Sequence, residues 1–351
     1  PSLPMPTVLD SLNAALHRAL AFDENVFILG EDILDPYGGA FKVTRGLSTD
    51  FPGRVLTTPV SEAAIVGIAA GMALRGLRPV VEIMFGDFMT LAADQLINHV
   101  AKFRWMYNDQ VHVPLVIRTP MGGRRGYGPT HSQTLEKLFL GVPGLRVMAP
   151  CALNNPGDLL LHAILDDEDP VLFIENKLLY LLPIQDLNSS RDFTLGQANA
   201  SSSTVPSLSP LSPSPYAPTY TLSLRDAPPP TLTLVAYGYM ADLCRQAALL
   251  LAYEDEFFTE LVIPTQLSPV DMTPILDSAR KTHRLLVVEE GSYTLGWGAE
   301  ILANAAETLG VNLHAARRLA CWDLPIPASV PLESAILPGV EDIRKSAKMC
   351  E

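Results

Sequence analysis

Val26-Phe27-Ile28-Leu29-Gly30 is an unbroken apolar run closed by a glycine, and the residues before it follow a different period. There Leu9, Leu12, Leu16, Ala19 and Leu20 recur at helical spacing behind Thr7, a residue type that caps helices. Short apolar runs return at Val80-Val81-Glu82-Ile83-Met84, Leu115-Val116-Ile117, Arg146-Val147-Met148 and Val171-Leu172-Phe173-Ile174. Helical candidates at 62–75, 87–108 and 154–166 lie between them. Strands that are apolar on both faces and alternate with helices predict a parallel sheet covered on both sides. The second half repeats the pattern, with strands predicted over Leu232–Ala236, Leu261–Ile263, Leu285–Glu289 and Val311–Ala315, and helices over 240–253, 271–280 and 297–309. The fold class is α/β, with two doubly wound domains.

A different composition separates the halves. Eleven of the fifteen residues 201–215 are Ser or Pro, and no charge appears between Arg191-Asp192 and Arg225. Such a stretch buries too little apolar surface to offset its ordering entropy. The expected division is therefore a first domain over 1–187, a largely irregular linker or surface excursion over 188–230, and a second domain over 231–351. An ordered loop on the surface is the alternative for the middle segment.

Composition excludes several classes. Of 351 residues, 48% are hydrophobic, enough for two cores. The formal charge of −13 argues against nucleic acid or an anionic membrane as partner, since both require clustered positive charge. Four dispersed cysteines (Cys151, Cys244, Cys321, Cys350) form no C-x-x-C pair, which fits a reducing compartment and no zinc site. The strongly apolar stretch from Ala63 to Leu74 is too short to span a bilayer. Asp10, His17 and Arg18 stand where a signal peptide needs an apolar run. A cytoplasmic location is expected.

Glu62 lies in Thr57-Thr58-Pro59-Val60-Ser61-Glu62-Ala63-Ala64. Pro59 ends an extended segment and Ser61 is placed to cap the next helix, so Glu62 falls in a first helical turn at the carboxyl end of a strand. Ligands of open α/β sheets bind at those ends. The plain alternative is an acid that complements the helix dipole. The bulk-free helix Gly67, Ala69, Ala70, Gly71, Ala73 reads as a packing surface, suited to a subunit interface. His131 follows a glycine-rich loop, Gly122-Gly123-Arg124-Arg125-Gly126-Tyr127-Gly128, where a histidine is placed to exchange protons near neutral pH. The other six histidines share no metal-like spacing with it. No G-x-G-x-x-G, phosphate-binding loop or G-x-S-x-G elbow occurs. Phe85 and Phe88 around Gly86-Asp87 read as core, and Asp166 to Pro170 as a solvated acidic turn.

Taken in order, these segments resemble the beta subunit of thiamine-diphosphate-dependent 2-oxo acid dehydrogenases, the decarboxylating component. The resemblance rests on Gly30-Glu31-Asp32, on Tyr37-Gly38-Gly39-Ala40-Phe41-Lys42-Val43-Thr44-Arg45-Gly46-Leu47, and on Thr58-Pro59-Val60-Ser61-Glu62. It continues through Gly76-Leu77-Arg78-Pro79, Asp94-Gln95-Leu96-Ile97-Asn98, His131-Ser132-Gln133, Pro143-Gly144-Leu145-Arg146-Val147 and Asp169-Pro170-Val171. Leu267-Ser268-Pro269-Val270-Asp271 and Val287-Val288-Glu289-Glu290-Gly291 complete it.

The resemblance implies a thiamine-diphosphate-binding pyrimidine domain followed by a transketolase C-terminal domain. It implies catalytic roles for Glu62 and His131, and cofactor contacts from Val60, Glu62 and Phe88. It implies a structural potassium site at the Leu115 carbonyl, Ile164, Asp167 and Asp169. The family's Gly-Asp-Gly…Asn motif for magnesium and diphosphate is missing here and belongs to the alpha subunit. The chain thus supplies half a cofactor site, and thiamine diphosphate is shared. An alpha partner in an α2β2 assembly, a second copy of this chain, and a lipoyl acyltransferase component or an acyl carrier protein are the expected partners. The alternatives are a non-catalytic assembly subunit or a transketolase-like carboligase half. The Ser/Pro insertion, Ile263-Pro264-Thr265-Gln266 and the tail around Trp322-Asp323-Leu324-Pro325 depart from the family pattern.

Overall fold

A computed structural model of the chain describes residues 5–186, 192–199 and 211–351. Helix α1 (Val8–Phe22) opens with a capping box. The Asp10 amide donates to Thr7 Oγ1 at 3.2 Å and the Thr7 amide donates to Asp10 Oδ2 at 2.9 Å, as the position of Thr7 predicted. Its apolar stripe delivers Leu12, Leu16, Ala19 and Leu20, all fully buried, to one face of the first sheet.

That sheet is built from β1 (Val26–Gly30), β2 (Val55–Thr57), β3 (Arg78–Glu82), β4 (Val116–Met121), β5 (Arg146–Met148) and β6 (Val171–Asn176). They stand in the order β5-β6-β4-β3-β1-β2 and are all parallel. Helix α2 (Leu47–Asp50) precedes β2; α3 (Glu62–Leu74), α4 (Phe103–Met106) and α5 (Pro156–Leu165) follow in chain order. The single helix expected over 87–108 is broken into a 3-10 segment (Gly86–Ala92), a π segment (Gln95–Val100) and α4.

The second sheet runs β13-β12-β9-β10-β8-β7, from β7 (Phe193–Ala198), β8 (Thr219–Leu224), β9 (Leu232–Ala236), β10 (Thr259–Pro264), β12 (Arg284–Ser292) and β13 (Ala315–Cys321). β9, β10, β12 and β13 are parallel, whereas β8 and β7 are antiparallel additions at the edge. Those two strands fall inside the segment expected to be irregular, so its described part is substantially ordered; 188–191 and 200–210 lie outside the described residues. The strand expected at Val311–Ala315 begins at Ala315, because Val311 stands 93% exposed in a 3-10 turn. Helices α6 (Gly238–Asp255), α7 (Thr273–Thr282), α8 (Trp297–Leu309), α9 (Val330–Ile336) and α10 (Val340–Lys348) complete this half.

The halves are joined by more than a linker. β11 (Gln266–Ser268), from the second half, pairs antiparallel with β5 at the edge of the first sheet. One hydrophobic cluster runs from Val81, Ile117 and Leu172 through Leu267 to Val235, Val287 and Trp297. Beneath the strand ends lies a buried charge network. Arg118, 1% exposed, donates to Glu175 at 2.8 and 2.7 Å and to Glu82 at 2.9 Å, tying β3, β4 and β6 together. Removing the guanidinium would strand two buried carboxylates, at a cost of about 3–5 kcal/mol. Among the described residues no helix is long and apolar enough to cross a membrane.

Candidate active site

The carboxyl ends of β1, β2, β3, β4 and β6 all open toward one edge of the sheet. Glu31 follows β1; Val60 and Glu62 follow β2; Phe85, Asp87 and Phe88 follow β3; the loop to His131 follows β4; and Lys177 follows β6. Parallel strands impose this convergence, because each right-handed crossover returns the chain to the same edge.

Glu62 is the first residue of α3 and only 6% exposed. Ser61 occupies the N-cap position but its hydroxyl makes no capping bond, contrary to expectation. Its main-chain N–H serves Glu31 instead. Burial, and then the charge of Glu62, push the Glu31 carboxyl above its ordinary value; the Ser61 bond pulls the other way. Glu31 Oε1 is buried without a partner among the described residues. Sequence reasoning missed this second carboxylate, although Gly30-Glu31 at a strand end carried the signal. Val60, beside the pair, is 81% exposed, an apolar side chain that nothing among the described residues covers.

Phe88 and His131 are brought into contact. The His131 ring stands edge-on to Phe88 at 5.2 Å and to Phe85 at 4.7 Å, and the two phenyl rings meet at 5.7 Å. Thr130 Oγ1 lies 2.9 Å from His131 Nδ1, so a threonine O–H donating there leaves the ring proton on Nε2. Lys177, fully buried, donates to the main-chain oxygen of His131 and faces the rings of Phe85 at 5.2 Å and Tyr127 at 5.7 Å. Burial pulls its ammonium down to about 8, with Asp87 and Glu290 opposing. Gln133 donates through Nε2 to Asp87 Oδ1 at 2.9 Å, closing the loop onto the segment that carries Phe88.

The expected potassium ligands are otherwise engaged. Arg78 Nη1 donates to the carbonyls of both Ile164, at 3.0 Å, and Asp167, at 2.9 Å. The Leu115 carbonyl accepts from the Val171 amide at 2.9 Å. Asp167 pairs with Arg146 Nε at 2.9 Å and accepts from Tyr216, while Asp169 accepts from Arg104 at 2.9 Å. Only the Ile164 and Asp167 carbonyls meet at one point, and a guanidinium nitrogen stands there; Arg146 and Arg104 supply the charge at the two carboxylates. The residues as arranged do not fit a potassium ion. Among the described residues no group of three or more His, Cys, Asp or Glu is placed to hold a metal.

Comparison with known proteins agrees with this geometry. Residues 5–182 match the family described as "Transketolase, pyrimidine binding domain", and residues 223–343 match "Transketolase, C-terminal domain". The chain is 36% identical over 348 residues to the pyruvate dehydrogenase E1 component subunit beta-1, mitochondrial, of Arabidopsis thaliana, covering 97% of this chain and 88% of that protein. It is 34% identical to the beta subunit of acetoin:2,6-dichlorophenolindophenol oxidoreductase of Cupriavidus necator, over 96% and 95% of the two chains. It is 33% identical to the pyruvate dehydrogenase E1 component subunit beta of Rickettsia bellii, over 97% of each. Among solved structures, one titled "Split gene transketolase, inactive beta4 tetramer" superposes with a TM-score of 0.71 over 99% of this chain and 98% of that one. At 16% identity that likeness speaks for the fold alone.

Proposed function

The chain belongs to the beta-subunit family of the thiamine-diphosphate-dependent 2-oxo acid dehydrogenases, the decarboxylating components, and from that membership we propose that Glu62 and His131 are its catalytic residues in an enzyme completed by an alpha subunit. The observation that carries the reading is the placement of Glu62, Phe88 and His131 after the carboxyl ends of β2, β3 and β4, parallel strands of one sheet. Exposed Val60 marks the side of that edge left for a ligand and a partner chain to cover.

Glu62, buried at the start of α3, holds and moves a proton at its carboxyl oxygen toward the aminopyrimidine ring of the cofactor. The buried and unpartnered Glu31 oxygen beside it makes the pocket suited to a donor from outside the chain. Val60 and Phe88 supply apolar walls for the ring. Thiamine diphosphate, when bound, supplies the electron sink for the pair left behind by departing CO2. His131, fixed by Phe85 and Phe88, exchanges a proton with the substrate or orients it during acyl transfer.

Magnesium and the diphosphate fall to the alpha subunit, since this chain lacks the Gly-Asp-Gly…Asn motif. The assembly is α2β2, with a second copy of this chain at its centre and a lipoyl acyltransferase or an acyl carrier protein as acyl acceptor. A cytoplasmic location belongs to the same reading; the four cysteines are free and buried, which suits a reducing compartment, and cell fractionation tests it. Potassium is left out, because Arg78 takes the carbonyls that would hold it.

The test is a pull-down of the tagged chain from its native lysate, with partners identified by mass, followed by 2-oxo acid assays on the assembly. A stoichiometric partner bearing the Gly-Asp-Gly…Asn motif, together with decarboxylation, is the expected result. Recovery of this chain alone would leave half a site and overturn the reading.

A further inference from the structure

The loop that delivers His131 has an unusual backbone. Gly122, Arg124, Gly126 and Gly128 all take positive φ, at +95°, +68°, +69° and +78°. A chain turned this way four times in seven residues builds no ladder of its own, so its amides must find acceptors elsewhere.

They find them in the second half of the chain. The Gly123 amide donates to Glu290 Oε1 at 2.7 Å, from β12. The Arg124 amide donates to Glu333 Oε1 at 2.7 Å, and the Gly126 amide donates to Glu333 Oε2 at 3.1 Å. Glu333 lies on α9, 1% exposed, with one carboxylate oxygen on each loop amide. Arg124 Nη2 donates to the Pro338 carbonyl at 2.7 Å, just beyond the same helix. Leu337 packs so close to Gly123 that a Cβ there would meet its Cδ1 at 2.7 Å. At the far end of the loop, Lys177 holds the His131 carbonyl.

We propose that Glu333 is a positioning residue for the reaction: its two carboxylate oxygens fix the 122–128 loop and thereby hold His131 edge-on between Phe85 and Phe88. A buried carboxylate whose bonds all run to one loop is set apart from one that merely caps its own helix. The inference rests on the reading of His131 as a catalytic residue. It makes the C-terminal segment part of the active-site scaffold.

Glu333→Gln is the informative change, since a carboxamide accepts from one amide and turns a second donor toward the other. The experiment is a double-mutant cycle of Glu333→Gln and His131→Ala in the assembled enzyme, read by kcat, by hydrogen exchange of the loop amides, and by exchange of the cofactor C2 proton. Glu333→Gln is expected to speed exchange at Arg124 and Gly126 and to lower kcat about tenfold to a hundredfold, as misplacement of a reacting group does. It should leave C2 proton exchange, which depends on Glu62, at the parental rate. In the His131→Ala background it should cost nothing further. Losses that multiply independently, or a parental kcat with a loosened loop, overturn the inference. A His131→Ala enzyme with parental turnover instead sinks the role of His131, and the inference falls with it. Glu333→Asp, which keeps both acceptors, should recover part of the rate and carries the same cycle where the glutamine variant does not assemble.

Discussion

Arg78 donates through one guanidinium nitrogen, Nη1, to the main-chain oxygen of Asp167 at 2.9 Å, and the same nitrogen reaches the Ile164 oxygen at 3.0 Å. A fixed positive charge therefore sits where the end of α5 and the acidic turn present their carbonyls, the place the family resemblance assigned to a potassium ion. The turn is held from its other side by Arg104 and Arg146 through Asp167 and Asp169. Covalent attachment removes the entropic cost of recruiting an ion.

Exchange of potassium for choline should accordingly leave the melting temperature of the chain unchanged. Arg78→Ala should cost about 1.5–3 kcal/mol, the range for hydrogen bonds to a charged group, measured by denaturant titration. Potassium should restore part of that loss, since the vacated carbonyls still converge. A potassium-dependent rise in the melting temperature of the unsubstituted chain would show that the guanidinium does not take the place of the ion.

Glu62→Gln should lower turnover of the assembled enzyme by about a hundredfold or more, the range for loss of a positioned proton carrier, while the alpha partner still co-purifies. The same variant should lower the titration midpoint of Glu31, because the charge of Glu62 is one of the causes that raise it. Carboxyl-selective infrared or NMR titration reads the second effect. Parental turnover would remove Glu62 from the chemistry, and an unmoved Glu31 would mean the two carboxylates do not interact.

Glu62 stands at the carboxyl end of a strand, and that much was legible in the chain. Runs such as Val171-Leu172-Phe173-Ile174 are buried on both faces, so burial writes them plainly into the sequence. The edges were harder to read. Strand β13 carries Arg317 and Arg318 with one face to solvent, and β7 and β8 are half-buried ribbon, so neither forms an apolar run. The expected 87–108 helix is broken into 3-10 and π turns, the first of them packed against β4 at Gly86 and Met121, a tertiary contact that periodicity does not register. Glu62, Phe88 and His131 were read from local context and resemblance. Lys177 and Glu333 were missed because their partners lie 46 and about 200 residues away, at His131 and in the 124–126 loop.

The packing against β4 can be probed at Gly86. A Cβ on Gly86 would meet Met121 Cγ at 2.2 Å, with Sδ and Cε at about 3 Å. Met121 is 1% exposed and closes β4, so it has little room to withdraw. Gly86→Ala should cost about 1–3 kcal/mol by overpacking and displace the segment that carries Phe88. Paired with Met121→Ala, the combined cost in thermal denaturation should be smaller than the sum of the single costs. Strict additivity would mean the two side chains do not compete for the same space.

Glu289 gives the chain a pH-dependent stability. Burial, and then the neighbouring Glu136, push its carboxyl up to about 8, and the Gly298 amide, which donates to Oε1 at 3.0 Å, opposes them only in part. Among the described residues Oε2 is buried without a partner, so no donor stabilises the charged form at that oxygen. The folded-state value thus lies above the unfolded one. The contribution is fully present below about 4.5, the unfolded value, and is lost as pH rises toward about 8, because over that window the folded state binds the extra proton. Glu136, also raised by burial and bonded by Tyr237 at 2.6 Å, adds to the same trend. Glu289→Gln keeps the acceptor for Gly298 and has no proton to lose. Its unfolding free energy should therefore fall less steeply than that of the parent between pH 5 and pH 8, and exceed it at the upper end. Denaturant titrations at several pH values across the window give the comparison. Parallel curves would mean that Glu289 keeps one protonation state throughout, and the argument from its burial would fail.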